Sequence, residues 1–62
     1  MKAGDKAKLL KKTFIQNGIF IISGSVVEIA EILDEEIRVM YSDKEGYPHV
    51  VTGLKEADLA VI

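Results

Sequence analysis

Cysteine and tryptophan are absent from the 62 residues, and histidine and proline occur once each, as His49 and Pro48. Without thiols there can be no disulfide framework and no thiolate metal site, and one histidine cannot build a zinc cage, so neither a metal nor a cofactor is expected. No run approaches the ~18 consecutive apolar residues of a membrane helix, and Met1-Lys2-Ala3-Gly4-Asp5 lacks the apolar run of a signal peptide. The expected setting is therefore cytoplasmic, with no membrane partner. Positive charge is also in short supply, with eight Lys and Arg against ten Asp and Glu. Beyond residue 12 the only cations are Arg38, Lys44 and Lys55, too few for a long basic footprint on duplex nucleic acid.

What is present is a folding sequence. Hydrophobic residues make up 48% of the chain, with Val and Ile prominent, which argues against disorder. A chain this short forms one domain, residues 1–62, and buries only about 60% of the surface its unfolded form exposes. Its stability must come from apolar packing, with a subunit interface as one way to extend it.

Glycines supply the punctuation, at 4, 18, 24, 46 and 53, and cut the chain into segments of strand length. Asp5 to Leu10 alternates in part, with Ala7 and Leu9 on one side and Lys6 and Lys8 on the other. Phe14 to Ile22 holds Asn17-Gly18 between two apolar runs, a strong hairpin signal because a type I′ turn needs positive φ at both central residues. Ile37 to Tyr41 also alternates, and Pro48 belongs at the start or edge of a strand running from Tyr47 to Thr52. Leu54 to Leu59 suits a single 3₁₀ turn before a last short strand, Ala60 to Ile62.

Ser25 to Leu33 carries two conflicting patterns. Val26, Ile29, Ala30, Leu33, Ile37 and Met40 recur at helical spacing, and Ser25 with Glu28 matches a capping box. The β-branched residues Val26, Val27, Ile29 and Ile32 and the acidic turn Asp34-Glu35-Glu36 favour a strand. The expectation is all-β, a small five-stranded barrel with a short 3₁₀ turn before the last strand. The alternative is an α+β fold with a helix at about residues 25–40.

The order of features resembles small SH3-like β-barrel proteins, KOW-type modules among them. The resemblance rests on Gly4-Asp5-x-Ala7-x-Leu9, on Gly24-x-Val26-x-x-Ile29, on a charged turn followed by two alternating strands, and on Leu54-x-x-x-Asp58-Leu59-x-Val61-Ile62. It covers nearly the whole chain and implies architecture, in a group that includes many short bacterial and phage proteins. One enzyme of this type is a plasmid-borne dihydrofolate reductase, whose Val-Gln-Ile-Tyr active-site run is absent here, so no catalytic residue carries over.

The residues themselves point away from catalysis. Asp34, Glu35 and Glu36 diverge when they sit in a strand-to-strand turn, and Ser42-Asp43-Lys44-Glu45-Gly46 lacks the ligand order of a calcium loop. His49 has no nucleophile motif to serve, although Tyr47 and Pro48 put it beside apolar surface. The chain is expected to be no enzyme.

Two surfaces remain as candidates. Ile19, Phe20, Ile21 and Ile22 are apolar on both faces of a period-two strand, so one face must find cover outside a core this small. This predicts a non-catalytic module that binds a protein partner, or itself as a homodimer, through the hairpin at residues 14–22. Its contacts would be Phe14, Ile19, Phe20 and Ile22, flanked by Tyr41, Tyr47 and His49. The alternative is a KOW-like module for RNA or single-stranded nucleic acid, using Lys6, Lys8, Lys11 and Lys12 for phosphate and Phe14 for base stacking.

Overall fold

The structure, a computed structural model, describes all 62 residues. The elements in chain order are β1 (Lys6–Leu9), β2 (Phe14–Gln16), β3 (Ile19–Ile21), β4 (Val26–Ile32), β5 (Ile37–Ser42), β6 (Pro48–Leu54), a 3₁₀ turn (Glu56–Asp58) and β7 (Leu59–Val61). Five strands form one antiparallel sheet in the order β6-β5-β4-β1-β7, and β2 with β3 forms a separate hairpin. The class is all-β, with the 3₁₀ turn immediately before the last strand as expected. No ladder joins β6 to β7, so these two strands are the edges of the sheet.

Residues 26–32 are strand, so the helical alternative is set aside. The helical stripe would have required Val26, Ala30 and Leu33 to face the core, yet all three are exposed. Burial instead follows the two-residue period at Val27 and Ile29, which leaves Val26 and Glu28 on the outer face. The capping box does not form either. The Ser25 carbonyl accepts the Leu9 N–H at 2.8 Å, and Glu28 pairs across the sheet with Lys6. β-Branched side chains at Val26, Val27, Ile29 and Ile32 fit a pleated surface better than a helix, and the neighbouring strands turn that preference into burial.

Two irregularities bend the sheet. On β4 the register shifts between Ile29 and Glu31, which leaves Ala30 as the extra residue. On β6 Thr52 and Gly53 together stand opposite Arg38, between the pairs Val39↔Val51 and Ile37↔Leu54. This second bulge resets the alternation, so Val51 and Leu54, three residues apart, are both buried. Gly53 sits there at φ +78°, a conformation that a residue with a Cβ adopts only under strain.

The core consists of eleven buried residues: Ala7, Leu9, Ile21, Val27, Ile29, Ile37, Val39, Tyr41, Val51, Leu54 and Leu59. Every long strand contributes, and the hairpin contributes Ile21, with Phe14 and Ile19 packed against the cluster. The 3₁₀ turn is fixed by Asp58, whose carboxylate accepts the Lys55 N–H at 2.9 Å, and its Asp58 carbonyl accepts the Leu10 N–H at 2.7 Å. Strand β1 lies between β4 and β7, so Lys6 and Lys8 do not guard a sheet edge.

Candidate functional site

The hairpin leaves the sheet after Leu9 and returns at Gly24, whose N–H donates to the Leu9 carbonyl at 2.8 Å. Its tip is the two-residue turn that the sequence predicts, with φ of +53° at Asn17 and +79° at Gly18. The pairs are Gln16↔Ile19, Ile15↔Phe20 and Phe14↔Ile21. In such a hairpin the residues flanking the turn exchange both ladder bonds, and the pattern then alternates along the strands. Gln16↔Ile19 and Phe14↔Ile21 are therefore the bonded pairs. The N–H and C=O of Ile15 and Phe20 point off the two edges of the hairpin.

Its inner face is held down. Ile21 is buried, and the half-buried Phe14, Gln16 and Ile19 share its side of the hairpin. The Gln16 side chain works as a short piece of strand edge. Its Oε1 accepts the Thr52 N–H at 2.8 Å, and its Nε2 donates to the Thr52 carbonyl at 3.1 Å. Thr52 lies in the β6 bulge on an edge of the sheet, and Gln16 bonds both its N–H and its C=O there. The next residue of the bulge, Gly53, donates its N–H to Glu36 Oε2 at 3.0 Å.

Glu36 is thus a structural residue that sequence reasoning placed among diverging solvated carboxylates. Its Oε1 accepts from Arg38 Nε at 2.8 Å, and the charge-assisted bond from Arg38 holds the Glu36 carboxyl below its ordinary pKa. Arg38 also reaches Glu31 Oε1 at 3.4 Å. The only sequence signal for this arrangement is Gly53, which marks the bulge that Glu36 and Gln16 brace.

On the outer face Ile15 and Phe20 stand directly opposite one another, 63% and 64% exposed. Beside Phe20 runs a cleft of about 450 Å³, bounded on one side by Gly18, Ile19, Phe20 and Ile22 and on the other by Tyr41, Asp43, Lys44 and Glu45. Tyr41 is buried, and its hydroxyl accepts the Ile22 N–H at 3.4 Å where the two walls meet. The far wall is the β5–β6 turn, organised by Asp43. Its Oδ1 accepts the N–H groups of Glu45 and Tyr47, both at 2.9 Å, and its Oδ2 lies 2.8 Å from His49 Nε2. The bond to His49, then those to the backbone, hold the Asp43 carboxyl below its ordinary pKa.

Of the residues expected at a protein contact, the structure brings Ile19, Phe20, Ile22 and Tyr41 together along this cleft. His49 touches it through Asp43. Tyr47 is 62% exposed on the same turn but is not among the cleft residues, and Phe14 faces the core. Of the four N-terminal lysines, Lys12 is exposed and the other three have separate surroundings. Lys6 lies 3.9 Å from Glu28, Lys8 stands between Val26 and Ala60 in the sheet, and Lys11 Nζ sits 4.7 Å from the centre of the Phe14 ring. No helix is long and apolar enough to cross a membrane. Comparison with protein-family models, with curated proteins and with solved structures finds no match for this chain.

Proposed function

We propose that this protein is a non-catalytic interaction module of the SH3-like kind, working in the cytoplasm, whose contact surface is the outer face of the β2–β3 hairpin. The SH3-like reading is supported by the strand order β6-β5-β4-β1-β7, by a hairpin inserted between β1 and β4, and by the 3₁₀ turn before β7. The observation that carries the functional reading is the opposed pair Ile15 and Phe20, each nearly two-thirds exposed beside a cleft with Ile19, Ile22 and Tyr41 in its walls. Large apolar side chains facing water across from each other, on a hairpin whose other face already serves the core, contribute little to folding. They are placed for contact with another protein surface.

Affinity capture from nuclease-treated cytoplasm with two baits, wild type and Phe20→Asp, tests the reading. Proteins retained by wild type and lost from the variant are the expected result. Identical sets on both baits would sink it.

The alternative, a module for RNA or single-stranded nucleic acid, has less support. Lys6 has the Glu28 carboxylate 3.9 Å away, which offsets its charge, and Lys11 and Phe14 are stacked on each other rather than offered to a base. It predicts salt-sensitive binding of single-stranded oligonucleotides, measurable by fluorescence anisotropy, and fails if none is seen at low salt.

A further inference from the structure

The open edge of β3 points to a more specific partner, and this step rests on the reading of the hairpin as a contact surface. Along that edge the outward groups are settled at Ile22. Its N–H goes to the Tyr41 hydroxyl and its carbonyl accepts the Ser25 N–H at 3.2 Å. Phe20 is different. Its N–H and C=O face away from β2, and neither a backbone group nor a side chain of the protein bonds to them. An extended strand laid antiparallel along β3 supplies one acceptor and one donor at that position.

We infer that this strand is the β3 of a second copy of the chain, paired antiparallel about a two-fold axis at Phe20. Three observations favour a second copy. A residue that offers both a donor and an acceptor from one edge is complementary to itself under a two-fold rotation, because each Phe20 then bonds the other twice. The side chains agree with that register. Residues directly opposite in a sheet project on the same side, so the two Phe20 rings meet with an Ile15 outside each, giving one apolar row across four strands. The far wall of the cleft carries Asp43, Lys44 and Glu45, whose alternating signs let it meet its own copy without a block of like charge.

Area sets the strength. Ile15 and Phe20 leave on the order of 200–300 Å² of apolar side chain in water per copy, against ~800 Å² per partner in a standard stable interface. The dimer is accordingly weak, with a dissociation constant of roughly 0.1–1 mM. The opposite edge of the hairpin, at Ile15, is also unpaired, but none of the clefts is lined by a β2 residue. The apolar wall of Ile19, Ile22 and Tyr41 beside β3 favours that edge.

Sedimentation velocity from ~10 µM to ~1 mM, with amide hydrogen exchange measured at both ends of the range, tests this. The expected result is a rise in mean mass toward the dimer, with exchange at the Phe20 amide slowing about two- to fourfold as the paired fraction grows by mass action. Phe20→Lys, which puts a charge on the edge, should remain monomeric across the range. A wild-type chain that is still monomeric at ~1 mM overturns the pairing. So does an association that slows the Ile15 amide and leaves Phe20 unchanged, or a folded Phe20→Lys variant that associates as wild type does. If that variant does not fold, the wild-type exchange at Phe20 decides alone. A monomer that the two-bait capture nonetheless finds holding another protein through Phe20 assigns the edge to a foreign strand. That result overturns self-pairing and leaves the interaction module standing.

Discussion

The two faces of the β2–β3 hairpin are built from nearly the same amino acids and do opposite things. Phe14, Gln16, Ile19 and Ile21 face the sheet, where Ile21 is buried and Gln16 is bonded to both main-chain groups of Thr52. Ile15 and Phe20, one residue away on each strand, face water. Hydrophobicity alone therefore does not decide what a side chain contributes here. Of the two edges of the sheet beneath, the hairpin uses one face to cover the bulged one, β6. The other face is left over. A domain of this size has no second layer to put there, so the leftover face becomes the surface that other molecules meet.

The largest effect that can break this comparison is a pair of truncations on β3. Ile21→Ala removes a side chain that is 1% exposed and should cost about 2–4 kcal/mol, through lost burial and the cavity left behind. Phe20→Ala deletes a larger side chain that is 64% exposed and should change stability by no more than ~0.5 kcal/mol. Urea unfolding of both variants measures the difference. Equal losses would mean that the outer face supports the fold and is not spare surface.

Next comes the clamp on the inner face. Gln16→Ala leaves the N–H and C=O of Thr52 without their partner and should cost about 1–2 kcal/mol. Gln16→Glu keeps the acceptor but sets a carboxylate oxygen against the Thr52 carbonyl, so it should be no more stable than Gln16→Ala. The Thr52 amide should exchange faster in the alanine variant, with amides in β1 slowed or quickened only by the global change. The tip is a third lever. Gly18→Ala places a Cβ at φ +79° in open space, so the cost is backbone strain alone, about 1 kcal/mol. Both faces should feel it equally, since the turn sets the register that sorts them.

Much of this was legible in the residues, and the exceptions share a cause. The Asn17-Gly18 turn, the alternation of Ile37, Val39 and Tyr41, Pro48 at the start of its strand and the 3₁₀ turn before β7 are local signals, and each sits where it was expected. Residues 25–33 carried two local patterns, of which the strand was the expected one, and pairing with the neighbours β1 and β5 realises it. Apolar residues on both faces of the hairpin announced a surplus, but not which face would be spared. That depends on the bulge at Thr52 and Gly53, thirty-six residues beyond Gln16. The grips of Glu36 on Gly53 and of Asp43 on His49 were missed for the same reason. A carboxylate that braces a turn or bulge reads, in sequence, like any solvated acid.

Those two carboxylates give the shallowest test, and they separate the supports of the two faces. Glu36 braces the bulge under the inner face, and Asp43 shapes the turn that walls the cleft beside the outer one. Hydrogen bonding to Arg38 lowers the Glu36 pKa from its ordinary 4.5, and hydrogen bonding to His49 lowers that of Asp43 from 3.8. A carboxyl with a depressed folded pKa contributes stability that is fully present above its unfolded value and is lost as pH falls through the folded one. The urea midpoint should therefore decline as pH drops below the ordinary carboxylate range. Both groups are solvent-accessible, so the decline should be gentle. Glu36→Gln and Asp43→Asn should each flatten part of it. In Glu36→Gln the Thr52 and Gly53 amide chemical shifts should no longer follow the carboxylate titration, while in Asp43→Asn that loss should be confined to Glu45 and Tyr47. If either substitution altered the amides of the other region, the bulge and the turn would be one cooperative unit, and the two faces of the hairpin would not be independently supported.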